Sequence, residues 1–224
     1  TGSATESNNM VILGVGLKAG QSVCFSPADH PSMIRPLAAL GDQGSILHKL
    51  PFLNGRNFLD QELKGVWPEM VDFLALSQVN GQSGGLAPVA QLTQAVKKKN
   101  PLTHVHIDGS QAFGKIPVDL ISTHIDSYSI SSHKIGGPKG ISGLYIKGNI
   151  NLKPLMWGGG QEAGFRPSTL AAPLILGFYE AARRCVTQVN QAREKTQILK
   201  QTCIQGLRQV SPEIQFPFSS DTEA

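Results

Sequence analysis

Residues 103–117 read THVHIDGSQAFGKIP. From His104 the chain alternates polar and apolar side chains, the period of a β-strand with two unlike faces. The run stops at Asp108-Gly109, a turn-forming pair. A strand here therefore delivers a carboxylate to its own C-terminal end, with Gln111 three residues further on. Taken alone, Asp108 reads as a turn or helix-cap residue.

The same kind of signal recurs on both sides. Short β-rich runs stand at 22–27, 45–51, 72–79, 127–131 and 143–146. Helical stretches stand at 6–19, 33–40, 58–62 and 89–99, and a long one runs from 174 to 207. Strands interleaved with helices predict an α/β fold: three layers around a mostly parallel sheet. The long helix carries Leu174, Phe178, Ala182, Cys185, Val189, Ala192, Leu199, Cys203 and Leu207 at steps of three or four. That stripe predicts a core-facing side and makes Cys185 and Cys203 core residues.

Composition excludes several classes. Of 224 residues, 40% are hydrophobic and 16% charged, which is globular rather than disordered. No apolar run reaches the length of a membrane span, and the opening residues carry no signal-peptide pattern, though Thr1 falls inside a motif and a targeting segment ahead of it stays open. The net charge of +4 is scattered apart from Lys97-Lys98-Lys99, which closes a helix where cations suit the dipole. A nucleic-acid surface would need a basic stripe with aromatics, so no nucleic-acid partner is expected. The three cysteines lack a C-x-x-C spacing, which argues against disulfides and a metal site and for a reducing, cytoplasmic setting. An organelle stays open.

Polar clusters mark the expected C-terminal strand ends, where open α/β sheets bind ligands. Residues 129–148, SISSHKIGGPKGISGLYIKG, put Lys134 just after a strand and before a glycine-rich turn. A lysine at a sheet edge either is an exposed charge or forms Schiff bases with carbonyl compounds. At the front, TGSATESNNM opens a helix whose free N–H groups suit a phosphate or an ordinary cap by Ser3 or Thr5. A Schiff-base lysine, an acid for a pyridine nitrogen and a phosphate cradle are together the parts that hold pyridoxal 5'-phosphate.

The segments HIDGSQAFGKIPVD and SISSHKIGGPKGISGLYI strongly resemble the cysteine desulfurases, class V fold-type I pyridoxal-phosphate enzymes. So do SATESNN, ADHPS (28–32) and GGGQEAGFRPST (158–169), in matching order and spacing. The resemblance implies the large domain of that fold over residues 1–209, truncated at both ends, with 210–224 beginning a small domain. It implies that Lys134 binds the cofactor covalently and then shuttles protons. Asp108 pairs with the pyridinium nitrogen, His30 stacks on the ring, and Gln111 bonds the phenolic oxygen. Thr5, Ser131 and His133 bind the phosphate, and Thr169 reaches the phosphate of a second subunit, which implies a homodimer. Asn80 lies where the family has an Asn that touches substrate or cofactor. The implied substrate is L-cysteine, with a sulfur-acceptor protein as a further partner.

Departures qualify the match. Residues 79–85, VNGQSGG, have Gly81 where relatives show a second Asn, and TGSATE exchanges the usual order of Gly and Ser. The family's sulfur-accepting cysteine and its substrate-binding arginine belong downstream of residue 224. A selenocysteine lyase, another class V lyase or aminotransferase, and an inactive fragment that binds cofactor or dimerises therefore stay open. Two other readings fail. Ser131-Ser132-His133-Lys134 matches S-x-x-K, but the companion S-D-N and K-T-G motifs of serine hydrolases are missing. Gly14, Gly16 and Gly20 follow a helix rather than opening one, unlike a dinucleotide fingerprint.

Overall fold

The computed structural model describes residues 1–53, 56–57, 67–148 and 150–216. Its strands are β1 (Ser22–Phe25), β2 (Ile46–Lys49), β3 (Phe52–Leu53), β4 (Arg56–Asn57), β5 (Phe73–Ser77), β6 (His104–Asp108), β7 (Ser127–Ser131) and β8 (Ser142–Ile146). The helices are α1 (Ala4–Gly14), α2 (Pro31–Asp42), α3 (Val89–Lys99) and α4 (Ala172–Val210). All six expected strands are present. The pair β3–β4 is an addition, and the helix expected over 58–62 lies outside the described residues.

The main sheet has the order β2-β1-β5-β6-β7-β8. Its first five strands are parallel, and β8 runs antiparallel to β7. The reversal follows from chain length. Residues 132–141 are too few for the helical crossover that a parallel connection needs. Gly136 and Gly140, at φ of 81° and 84°, let the link fold back sharply.

Alternation splits each strand between two cores. Val23, Phe25, Phe73 and Ala75 pack under α1 and α2 with Val11, Met33 and Leu37. Cys24, Leu74, Leu76, Val105, Ile107 and Tyr128 pack on the opposite face with Leu92 and Val96 of α3. Helices on both faces of one sheet make the three expected layers.

Two elements depart from expectation. The helix expected to run to residue 19 ends at Gly14, because Gly16 adopts φ 75° and the Gly14 carbonyl accepts instead from the amide of Lys153 at 2.8 Å. Along α4, no residue is buried. Neither Cys185 nor Cys203 is therefore a core residue. Cys203 is exposed, and Cys185 is half-buried with its Sγ donating to the Ile135 carbonyl at 3.4 Å. The periodic stripe is real, but within the described residues little lies over it.

One glycine is set by contact rather than by conformation. A Cβ on Gly109 would lie 1.9 Å from the ring of Tyr128, which is itself buried and bonded to Gln78 at 2.6 Å. Gly109→Ala should destabilise the protein by at least about 1–3 kcal/mol, read as a lower urea midpoint at constant slope. Gly206→Ala, at an open position inside α4, should instead stabilise by up to about 1 kcal/mol. Equal midpoints for the two variants would contradict this packing.

Candidate active site

The chain passes from β1 outward to β2 and then returns to β5 on the other side of β1. Loops leaving β1 and β5 diverge there, which opens a crevice at the carboxyl edge of the sheet. The first loop carries Asp29 and His30, and the second carries Asn80 and Gly81. Asp108 and Gln111 follow β6, and Ser131 through Lys134 follow β7. Four loops thus bring seven of the candidate residues to one edge.

His30 is the N-cap of α2, accepting at Nδ1 from the amide of Ser32 at 3.2 Å, with Pro31 pre-set for the first turn. The hydroxyl of Ser32 lies 2.8 Å from the same Nδ1. Asn80 holds this loop from the neighbouring strand: its Nδ2 donates to the Ala28 carbonyl at 2.8 Å. Its Oδ1 accepts from the amides of Gln82 and Ser83, both at 3.0 Å, which closes the 80–85 turn. Gly81 fits beside Gln111, where a Cβ would lie 3.5 Å from Nε2, an ordinary contact.

Asp108 is buried, and both carboxylate oxygens are bonded. Oδ1 accepts from the amide of Ser110 at 2.9 Å, and Oδ2 accepts from Asn8 Nδ2 at 2.8 Å. Ser131 Oγ lies 3.0 Å from His133 Nδ1, while His133 and Lys134 are exposed on a short 3₁₀ turn over Ser132–Ile135. Gln111 turns its Oε1 toward Lys115, whose Nζ donates at 2.6 Å. Burial and the charge of Lys134 both hold the Lys115 amine below its ordinary pKa.

Thr5 sits on the first turn of α1 and lines a cleft of about 440 Å³ with His30, Ser32 and Arg35. Thr169 is not brought to these residues. It lines a second cleft, of about 400 Å³, with Gly140 and Arg166. Arg166 ties the two regions, donating from Nε to Glu6 Oε1 at 2.8 Å beside Thr5. Burial alone would raise the Glu6 pKa, but this bond and the amide of Gly2 hold it below the ordinary value.

Several residues in this architecture escape a motif-level reading. Strand alternation puts His104, His106 and Asp108 on the α1 side of β6, and Ser127, Ser129 and Ser131 on the same side of β7. Asn8 of α1 lies against them, with no exposure. Its Oδ1 accepts from Ser129 Oγ at 2.6 Å and from His106 Nε2 at 3.1 Å. His106 Nδ1 and His104 Nε2 both meet Ser127 Oγ, at 2.9 and 2.8 Å. The signal was the double alternation H-x-H-x-D and S-x-S-x-S, with polar residues on what would ordinarily be a core-facing side. Burial lowers the His104 pKa to about 4 and that of His106 to about 3, so both rings are neutral. Burial raises the Asp29 carboxyl to about 7, assisted by the charge of Asp108 and opposed by bonds from Ser77.

The chain belongs to the class-V aminotransferase family, a family of pyridoxal-phosphate-dependent enzymes, whose pattern it matches over residues 1–223. Within that family it is similar to the mitochondrial cysteine desulfurase of Saccharomyces cerevisiae, at 35% identity over 215 residues. The match covers 92% of this chain and 42% of that protein, so the chain spans less than half of that relative. A solved NifS-like protein superposes with a TM-score of 0.89 at 31% identity, over 97% of this chain and 62% of the other. A structure described as SspA in complex with cysteine gives 0.73 at 30% identity, over 82% and 54%.

The buried titratable groups oppose one another in pH. Each histidine is depressed on folding, so between about pH 6.5 and 4 the unfolded chain binds the extra proton. Stability then falls on acidification by about 1.4 kcal/mol per pH unit per ring. Asp29 is raised on folding, and its contribution has the reverse sign over much of the same window. Urea unfolding of ligand-free Asp29→Asn should therefore lose stability on acidification roughly twice as steeply as wild type. Parallel profiles would refute the assignment of a protonated Asp29.

Proposed function

We propose that the protein is a pyridoxal-phosphate-dependent cysteine desulfurase, taking sulfur from L-cysteine and leaving L-alanine. The observation that carries this reading is the placement of Asp108 at the end of β6 and of Lys134 on the turn that follows β7, its parallel neighbour. The donor set fits the cofactor. It offers one amine for the aldehyde, one buried carboxylate with both oxygens already bonded, and the hydroxyls of Thr5 and Ser131 with His133 for a phosphate. Asn80 keeps one amide hydrogen, and Gln111 its Nε2, as donors toward a ring substituent.

When bound, pyridoxal phosphate supplies an electron-accepting ring for the electron pair left as the substrate's Cα–H bond breaks. The residues divide the remaining work. The carboxylate of Asp108 favours a proton on the ring nitrogen. His30, fixed as the N-cap of α2, would stack on one face of the ring. Lys134 Nζ would hold the cofactor and would supply the amine that moves the Cα proton.

The sulfur leaves as a persulfide on a thiolate. Cys24 is unsuited, because it is buried in β1 and burial pushes its thiol up to about 12. The family resemblance assigns this cysteine, and the substrate-binding arginine, downstream of residue 224. We therefore assign residues 1–209 to the cofactor domain and 210–224 to the start of the next, and expect residues 1–224 alone to bind cofactor with weak or absent turnover. The neighbouring structure that holds cysteine supports the substrate. The yeast relative's mitochondrial name favours an organelle over the cytoplasm expected from the cysteines. A homodimer, with Thr169 serving the second subunit's phosphate, is supported by its separation from the other phosphate candidates and by exposed Trp157 and Leu170 nearby. A sulfur-acceptor protein would be the further partner.

Adding pyridoxal phosphate to the full-length protein should generate a visible absorption band that Lys134→Ala abolishes, and L-cysteine, with dithiothreitol present to reduce the persulfide, should then release sulfide and alanine in equal amounts. A wild-type protein with no such band would exclude cofactor binding. A band without alanine formation would exclude the desulfurase reaction.

A further inference from the structure

A hydrogen-bond path with one polarity crosses the interior beneath the site, and its direction follows from which atoms can donate. Asn8 Oδ1 only accepts, so His106 must carry its proton on Nε2, 3.1 Å away. His106 Nδ1 is then an acceptor and takes the proton of Ser127 Oγ at 2.9 Å. With its one proton committed, Ser127 accepts from His104 Nε2 at 2.8 Å. Both rings are neutral through burial, which agrees with these tautomers.

On the other side of Asn8 the path forks. Its two Nδ2 hydrogens go to Asp108 Oδ2 at 2.8 Å and to Ser32 Oγ at 2.9 Å. Ser32 keeps its own proton for His30 Nδ1 at 2.8 Å, a nitrogen that also accepts the Ser32 amide. His30 therefore carries its proton on Nε2. Asn8 makes four hydrogen bonds, the full capacity of an amide in two donors and two acceptor sites, and it has no exposure.

We propose that Asn8 is a positioning residue for the pyridoxal-phosphate site: one amide orients the Asp108 carboxylate and, through Ser32, the His30 ring. This rests on the function proposed above. The two residues it orients would meet the cofactor at its nitrogen and on its face, so a single side chain sets the angle between them. A purely structural Asn8 would contribute stability and nothing more.

The test uses the full chain, pyridoxal phosphate labelled with ¹⁵N at the ring nitrogen, and NMR of both that nitrogen and labelled histidines. In wild type the cofactor nitrogen should report the protonated ring, and His30 a single Nε2-protonated tautomer. Asn8→Ala removes the donor to Asp108 Oδ2 and leaves that carboxylate less fixed against the ring nitrogen. The ring-nitrogen signal should move toward the unprotonated position, and the cofactor Kd should rise about tenfold, the loss of one charge-assisted hydrogen bond. Ser32→Ala cuts only the His30 arm: the ring-nitrogen signal should stay, the backbone amide of residue 32 should keep His30 Nε2-protonated, and the His30 Nδ1 signal should shift for loss of the hydroxyl donor, with or without cofactor.

An Asn8→Ala protein that binds cofactor with unchanged Kd and ring-nitrogen signal overturns this inference and leaves the proposed function standing. A wild type that takes up no cofactor overturns the proposed function and the role of Asn8 with it. Should Asn8→Ala not fold, Ser32→Ala decides: a His30 Nδ1 signal unchanged from wild type refutes the path.

Discussion

The bond from Asn8 Nδ2 to Asp108 Oδ2, 2.8 Å long, joins residues one hundred positions apart. It fastens the first turns of α1 to the end of β6, and much of the molecule is arranged around the need to keep it dry and complete. An isolated carboxylate under a helix would be costly to bury, and the cost is offset only by full hydrogen bonding. Ser110 supplies one donor from the backbone, and Asn8 the other. Asn8 in turn requires donors for its own oxygen, which Ser129 and His106 provide, and the histidine requires Ser127. A site built at the sheet edge thus extends a polar column into the layer between sheet and helix, beside the apolar cluster of Val11, Phe73 and Met33.

How much of this the sequence discloses depends on how local each feature is. Strand positions are legible because alternation and turn pairs act over a few residues, and all six were found. Asp108 and Lys134 stand out because each follows a strand directly. The direction of β8 depends on the length of the 132–141 link, a rule that applies once the neighbouring strands are known. The end of α1 depends on Gly16 and on a distant amide, Lys153. Asn8 is the clearest case of a feature written non-locally. As one of several polar residues at the start of a helix it looks like solvent-facing surface, and its meaning comes from the strands it meets.

The helix α4 makes the complementary point. Its apolar period is strong, yet none of its 39 residues is buried. Periodicity shows which face a helix would bury, while burial itself needs something to lie against. Among its contacts, α4 touches the turn that carries Lys134 through Cys185 at the Ile135 carbonyl, and β8 through Phe178 beside Gly143. The lysine's backbone is thereby held from β7, β8 and α4, although its side chain is exposed.

The polar column also has a consequence for how this protein tolerates change. Asn8, His106, Ser127 and Ser129 each complete a partner that has no solvent to turn to, so replacing any one leaves an orphan among the others. A second replacement in the same column removes a group already orphaned and costs less than it would alone, which is strong non-additivity between contacting sites. For substitution, these side chains therefore form one unit. Drift can exchange the column as a set or leave it alone, and stepwise change within it passes through its least stable forms first.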